Sequence, residues 1–294
     1  MTMETTPSPS LLKNATTSRA AAIPAVLIAP RKGWLDLDLH GIYAYRELLY
    51  FLVWRDVKVR YKQASIGAGW AVLQPLLTMM IFTVIFGMFA KMSSDGLPYP
   101  IFAYAALLPW NYFAQAIAQS GTSVVRDSSL VNKVYFPRLI MPIAATITPL
   151  VDFAIAFVIL AGMMAWYGIA PTWAVITLPL FLLLAMMTAL AVCLFLAALN
   201  VQYRDVGHAI PFLVQFWMYA SPVVYSVHII PVRWRALYSL NPMVGVIEGF
   251  RWAVLGKEHP DFLVMTVSTM AVAALLLGGL IFFRRMERTF ADVI

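Results

Sequence analysis

Few residues in this chain have the type and spacing that catalysis requires. The four histidines are scattered, and none stands four residues from another as in a helical metal site. The sequence contains no phosphate-binding loop, no nucleophile elbow, no CxxC pair and no two carboxylates placed for acid–base chemistry. The single cysteine, Cys193, excludes an intrachain disulfide and a cysteine-based metal cluster. We therefore predict no catalytic residue, no metal site and no cofactor in this chain, which by itself is not an enzyme.

The side chains that could do chemistry are suited to binding. Aromatic rings stack on the C–H faces of sugars, while amides and tyrosine hydroxyls hydrogen-bond the sugar hydroxyl groups. Such side chains cluster in two apolar stretches and suggest a translocation path for a glycan. The alternative is that these rings mark the membrane interface or pack in the core. The candidate path residues are Tyr104, Trp110, Asn111, Tyr112, Phe113, Gln215, Phe216, Trp217, Tyr219 and Tyr225.

The composition is that of an integral membrane protein. Apolar residues make up 62% of the chain and charged residues 12%, whereas a soluble domain has about 45–50% and about 25%. A helix of about 20 apolar residues crosses the hydrocarbon core. The sequence therefore predicts an all-α fold with six transmembrane helices. They fall at Gly67–Ala90, Pro100–Thr122, Leu139–Tyr167, Trp173–Leu199, Ala209–Val227 and Phe262–Phe283.

The positions of lysine and arginine predict the orientation. Of the 21 basic residues, 16 lie in the N-terminal segment, the second-to-third and fourth-to-fifth connections, and the C-terminal tail. With six spans these four segments share one side, and an excess of positive charge marks the cytoplasmic side. Both termini are thus predicted to be cytoplasmic. Because the charges flank spans and form no continuous patch, nucleic acid is not an expected partner.

Two segments precede the first span. Residues 1–33 are rich in Ser, Thr, Ala and Pro without a helical period, which predicts a disordered cytoplasmic tail. Residues 34–66 contain an apolar helical face too short to span, followed by a basic cluster. This pattern predicts an amphipathic helix against the lipids of the cytoplasmic interface, although a simple basic flank of the first span is the alternative. Residues 67–285 are then the six-span domain, and residues 286–294 a cytoplasmic tail. The apolar face comprises Ile42, Tyr45, Leu48, Leu49, Leu52 and Val53.

The long connection between the fifth and sixth spans is unusually apolar. Asn241 and Pro242 interrupt it, and the helix-like part that follows is too short to cross a membrane. Such a segment predicts re-entrant or interfacial helices. Within this outer re-entrant region, Glu248 and Arg251 stand three residues apart and can pair on one helical face.

Asp152 is the one ionisable side chain clearly inside a predicted span. An isolated carboxylate in hydrocarbon is costly, so Asp152 should bond to a neighbouring helix or subunit. Proton coupling through Asp152 is the alternative.

The segment RDSSLVNKVYFPR, Arg126–Arg138, is a polar island between two spans. It belongs to a set of motifs that resembles the membrane subunit of polysaccharide-exporting ABC transporters, of the O-antigen and teichoic-acid export type. The resemblance covers about residues 42–285 and depends on the order and spacing of the motifs across the spans. The motifs are RELLYFLVWRDVKVRYKQASIGAGWAVLQPLLTMMIFTVIFG (Arg46–Gly87), LLPWNYF (Leu107–Phe113), SSLVNKVYFPRLIMP (Ser128–Pro142), LNVQYRDV (Leu199–Val206) and LNPMVGVIEGFRWAVLG (Leu240–Gly256).

The resemblance implies a particular assembly in the cytoplasmic (inner) membrane. Two copies of this chain would form the channel as a homodimer, and two copies of a separate ABC ATPase chain would bind ATP and Mg²⁺ beneath it. It also implies six spans, cytoplasmic termini, an interface helix, and re-entrant helices between the fifth and sixth spans.

The resemblance implies roles for two further groups of residues. Arg55, Lys58 and Arg60 could receive the phosphate of a lipid-linked glycan, because cations at headgroup depth suit phosphate. Two cytoplasmic connections could couple to the ATPase, although Lys133 and Arg138 could instead simply anchor the third span. The coupling candidates are Asn132, Lys133, Tyr135, Phe136, Pro137, Arg138, Arg204 and Asp205.

The resemblance implies ATP-driven export of a lipid-linked polysaccharide, O-antigen-like or a related surface glycan, from the cytoplasmic side of the membrane. Two alternatives stay open: an ABC permease for a drug or small amphiphile, and a membrane-embedded glycosyl- or acyltransferase.

Overall fold

The computed structural model describes residues 39–62, 69–256 and 259–290, and these residues form helices and connections without a β-strand. The predicted tail of residues 1–33 lies outside the described residues. The helices are α1 (Leu39–Ala44), α2 (Arg46–Lys62), α3 (Gly69–Phe82), α4 (Tyr99–Ser120), α5 (Ser123–Arg126), α6 (Ser128–Lys133), α7 (Ile140–Ile147), α8 (Leu150–Trp166), α9 (Leu178–Gln202), α10 (Val206–Tyr219), α11 (Val232–Tyr238), α12 (Pro242–Leu255) and α13 (Phe262–Glu287).

Four helical segments of the described chain are long and apolar enough to cross a membrane, and they match four of the six predicted spans. The predicted second span forms α4, and the predicted fifth span begins as α10, which has only 14 residues. The all-helical membrane fold is thus confirmed, while the count of six remains a prediction. The four segments are Gly69–Phe89, Ile140–Trp166, Trp173–Gln202 and Phe262–Glu287.

Helix α4 is the centre of the bundle. Most of its 22 residues are buried, and it contacts α3, α7, α8, α9 and α12. Its alanines at 103, 105 and 106 are fully buried, and small residues let helices approach closely in membrane proteins. A small residue also lets α9 and α13 pack closely, since a Cβ on Gly279 would lie 2.8 Å from the Ala191 carbonyl oxygen.

The predicted interface helix divides at Tyr45 into α1 and α2, and its apolar face packs as the periodicity predicts. Leu52 is buried, and the other five residues of the predicted apolar face pack in the same cluster. The opposite side exposes aromatic rings, among them Tyr50, Phe51 and Trp54. Such rings are typical of helices at the membrane–water interface.

One apolar cluster gathers the segments that carry most of the positive charge. It contains Leu52 of α2, Val131 of α6, Val201 of α9 and Phe290 after α13. Helix α2, both predicted cytoplasmic connections and the residues just after α13 therefore meet at one end of the bundle.

Two helices occupy the predicted re-entrant region. Helix α11 is short, whereas α12 is almost entirely buried against α4, α9 and α13. Asn241 caps α12 by accepting a hydrogen bond from the Met243 amide, with Pro242 in the first turn. Gly256 ends the helix at φ 66°, a conformation that glycine adopts without strain.

Candidate functional site

Four charged side chains join α2 to the turn between α5 and α6. The Arg55 guanidinium lies 2.9 Å from both Asp56 and Asp127, and Arg126 lies 2.9 Å from Asp56 and 3.3 Å from Asp127. We call these four residues the ion quartet. Burial lowers the pKa of Arg55, but its bonds to Asp127 and Asp56 raise the pKa more, so it stays charged. The quartet therefore fastens the start of the polar segment Arg126–Arg138 to α2.

The far end of that polar segment is fastened to α13. The Arg138 guanidinium donates to the Glu287 carbonyl oxygen, its backbone amide donates to the Glu287 carboxylate at 3.3 Å, and it lies 5.8 Å from the Phe290 ring centre. Phe136 is buried in the adjoining apolar cluster, and Pro137 is also buried. These three residues hold the segment in place.

Four predicted coupling residues are exposed at the same end of the bundle. Lys133 is the last residue of α6 and Tyr135 follows that helix, while Arg204 and Asp205 form the turn between α9 and α10. The side chain of Asn132 is not among those that the structure describes. The exposed four are available to a partner protein.

Asp152 has the interhelical partners that its position in a span requires. Arg60 and Tyr61, at the end of α2, both donate hydrogen bonds to its carboxylate, and Arg60 also donates to the Gln115 side chain at 2.9 Å. Burial, and then the bond to Asp152, raise the pKa of Tyr61, so it stays protonated as a donor. The predicted bond to a neighbouring helix is confirmed.

The three predicted phosphate-receiving residues are thus separated. Arg55 belongs to the ion quartet, Arg60 is paired with Asp152, and Lys58 is exposed. Because two of the cations already have carboxylate partners, Lys58 is the one whose charge is most available to a phosphate.

A cavity of about 710 Å³ lies beside the Arg60–Asp152 pair, between the end of α2, α3, α4 and the start of α8. Three glutamines, at positions 74, 115 and 119, line it together with Thr78 and Trp70. Cavities of about 300–1,000 Å³ hold drug-sized ligands. The cavity is open to the surface along α3, and apolar side chains complete its lining. The polar groups gathered there make it a candidate ligand site that sequence reasoning missed.

The predicted path residues on α4 are mostly in the protein interior. Trp110 and Phe113 are buried, and the buried hydroxyls of Tyr104 and Tyr112 donate to the carbonyl oxygens of Ala156 at 3.3 Å and Thr146 at 3.0 Å. Asn111 is half-buried. This burial favours a packing role for the four rings within one chain.

The predicted path residues on and after α10 are more accessible. Gln215, Phe216 and Tyr219 are exposed. The Trp217 ring packs edge-on against the Phe113 ring, with 5.2 Å between the ring centres, and its indole N–H donates to the Asn241 side chain at 2.9 Å. The hydroxyls of Tyr225 and Tyr238 lie 2.9 Å apart. The exposed face of α10 is thus the part of the predicted path that a substrate could reach.

Arg251 organises the region around α12. It is 6% exposed, and its guanidinium donates to the carbonyl oxygens of Val223 at 2.8 Å, Tyr225 at 3.3 Å and Phe102 at 3.4 Å. The predicted pair with Glu248 is present at 3.4 Å, and the guanidinium lies 3.6 Å from the Phe102 ring centre. One cation therefore ties α12 to α4 and to the segment after α10.

Sequence reasoning missed the ion quartet, although a signal was available. Each half is an Arg-Asp dipeptide, at 55–56 and 126–127, and the same dipeptide recurs at 204–205. Two such dipeptides, both in segments predicted to be cytoplasmic, could have suggested the pairing.

Comparisons with known proteins bear on what such an arrangement does. The sequence model of the ABC-2 type transporter family matches residues 47–255. The O-antigen export system permease protein RfbA of Myxococcus xanthus is 30% identical over 256 residues, covering 86% of this chain and 97% of that protein. RfbA of Klebsiella pneumoniae is 25% identical, covering 84% and 95%, and the polysialic acid transport protein KpsM of Escherichia coli is 23% identical, covering 79% and 91%.

Proposed function

This chain belongs to the ABC-2 type transporter family, and from that premise we propose that it is the membrane subunit of an exporter of lipid-linked polysaccharide. The observation that carries the proposal is the similarity over almost the whole length of an O-antigen export permease. A second group of relatives is named for polysialic acid transport. Relatives of both kinds are named for the transport of polysaccharides, which favours a glycan over a drug or small amphiphile and over a glycosyl- or acyltransferase activity.

The proposed topology has six spans with both termini in the cytoplasm. Helix α4, with 22 residues, is about 33 Å long and thus long enough to cross the hydrocarbon core. The hydropathy of α4 is lower than that of the four candidate spans, which suits a helix that contacts other helices instead of lipid. Helix α10 and the residues that follow it to 227 make the fifth span, α11 and α12 enter the membrane from the outer side, and the end bearing the ion quartet is cytoplasmic.

The ATPase is a separate chain in this proposal, with two copies beneath a homodimer of this one. The exposed Lys133, Tyr135, Arg204 and Asp205 would contact it, while the ion quartet and Arg138 transmit its movement to α2 and α13. A charged turn fastened at both ends moves as a unit, which suits transmission between subunits.

Loss of this chain should abolish the surface polysaccharide and leave lipid-linked glycan on the cytoplasmic side of the membrane. We expect the purified complex to contain an ABC ATPase and to hydrolyse ATP in lipid. Unchanged surface polysaccharide in a deletion strain, with altered efflux of a small amphiphile, would favour the drug-export alternative.

Two substitutions test the docking surface. Lys133→Ala should weaken ATPase association without loss of stability, because this side chain is exposed. Lys91→Ala is the matched control, since Lys91 is also exposed and lies in a connection assigned to the outer side. Equal ATPase association in both variants and the parent would place the docking surface elsewhere.

A further inference from the structure

The cavity beside Arg60 and Asp152 is built from two helical faces. On α3, Trp70, Gln74 and Thr78 follow one another at four-residue intervals, and on α4, Gln115 and Gln119 do the same. Residues four apart lie on one helical face. The two faces thus bring amides, a hydroxyl and an indole ring to a common space.

The amides of this cavity are left open to a ligand. Among the residues that the structure describes, the side chains of Gln74 and Gln119 make no hydrogen bond, and Gln115 uses only its carbonyl oxygen, toward Arg60. Gln74 lies in the candidate span Gly69–Phe89. Polar groups in a span are costly and mark functional sites.

The charges at the cavity cancel. Arg60 is paired with Asp152, and Tyr61 donates to the same carboxylate. A free phosphate would have to displace Asp152 from Arg60, whereas a neutral polyhydroxylated ligand needs only the open amides and an aromatic surface. Trp70, with 54% of its surface exposed, provides such a surface for the C–H face of a sugar ring.

We propose that the α3–α4 cavity binds an uncharged segment of the exported glycan at the cytoplasmic end of the bundle, with Trp70 stacking on a sugar ring and Gln74 and Gln119 hydrogen-bonding its hydroxyl groups. This assignment rests on the proposed function and adds a saccharide-binding site to it. The starts of α3 and α8 and the end of α4 lie at this end, on the side from which the glycan is received.

Because the chain has a single cysteine, Cys193, thiol labelling can test the site. In a Cys193→Ala background, Gln119→Cys provides the only thiol of this chain. The matched control is Gln202→Cys, which replaces an exposed glutamine at the end of α9. Maleimide labelling is measured in membranes holding the assembled transporter, from cells that make the glycan and from cells whose glycan synthesis is abolished. We expect the glycan to slow labelling of Gln119→Cys and to leave Gln202→Cys unchanged.

Export provides the second readout. Each lost amide hydrogen bond should lower the apparent affinity for glycan about fivefold, so Gln74→Leu and Gln119→Leu should lower export when glycan is scarce. Chain abundance and ATPase association should stay at parent levels, and Gln202→Leu should export normally.

Three outcomes distinguish a failure of this inference from a failure of the proposed function. If the parent chain is needed for surface polysaccharide but the cavity variants export normally and label equally with and without glycan, the cavity does not bind glycan. Slow labelling of Gln119→Cys in both kinds of membrane would show that protein covers the cavity and would also refute the assignment. If surface polysaccharide does not depend on the chain at all, the proposed function itself is wrong.

Discussion

Replacing Arg251 tests whether one buried cation orders the region between α10 and α13. Arg251→Met keeps much of the side-chain volume but removes the ion pair with Glu248 and the bonds to three backbone carbonyls. Removing one partner of a buried pair costs about 3–5 kcal/mol, because the other charge is left uncompensated. Glu248 keeps 16% of its side-chain surface exposed, so water can solvate part of its charge. Of the three bonds from Arg251 to backbone carbonyls, only the one to Val223 is short. We therefore expect a loss near the lower limit, about 3 kcal/mol.

The double variant isolates the cause of that loss. Glu248→Gln removes the uncompensated charge, so adding it to Arg251→Met should restore about 1 kcal/mol or more, since directly contacting residues couple by about 0.5–3 kcal/mol. Heat-induced loss of the folded peak in size-exclusion chromatography of detergent-solubilised protein measures both effects.

The matched control is Arg233→Met. Arg233 is exposed on α11, and its guanidinium lies 5.9 Å from the Trp234 ring centre. Its replacement should change stability by less than about 0.5 kcal/mol. If Arg251→Met behaves like this control, or if Glu248→Gln worsens it, the role assigned to Arg251 is wrong.

Three further substitutions test the packing and the charge pair. Gly249→Ala should destabilise the protein by about 1–3 kcal/mol, because its Cβ would lie 2.1 Å from a Phe181 ring atom. Gly162→Ala should instead be neutral or stabilising, because no atom of the described residues lies within 4 Å of its Cβ and alanine favours a helix. Thermal unfolding of the two variants measures both effects, and equal losses of stability would contradict the assigned packing. Asp152→Asn should lower stability by about 1–2 kcal/mol, since Arg60 is partly exposed and screened. Its export, measured as surface polysaccharide in cells with and without a proton gradient, should respond to the gradient as the parent does, and a response lost only in the variant would favour proton coupling through Asp152.

Local patterns determined much of the fold. The apolar face of α2, the cap at Asn241 and the Glu248–Arg251 pair depend on residues within a few positions of one another, and the structure contains all three. Long apolar runs likewise predicted the four candidate spans. Periodicity, capping and i,i+3 pairing are properties of a single helix, so the sequence contains them directly.

Burial of the aromatic residues was decided by packing. The sequence places the rings of α4 and α10 in one chemical class, but α4 is enclosed by its neighbouring helices, whereas α10 presents Phe216 and Tyr219 outward. Hydropathy could not separate the two, because in a membrane protein apolar rings suit both the interior and the lipid-facing surface.

The long-range pairs were decided by tertiary structure alone. The sequence required a partner for Asp152, but the partner is Arg60, 92 positions away, and Arg55 reaches Asp127 across 72 positions. These contacts form because the packing of α2 against α7 brings Arg55 and Arg60 to the end of the bundle. The cost of burying a charge is readable from one sequence, whereas the side chain that offsets the cost depends on which helices meet.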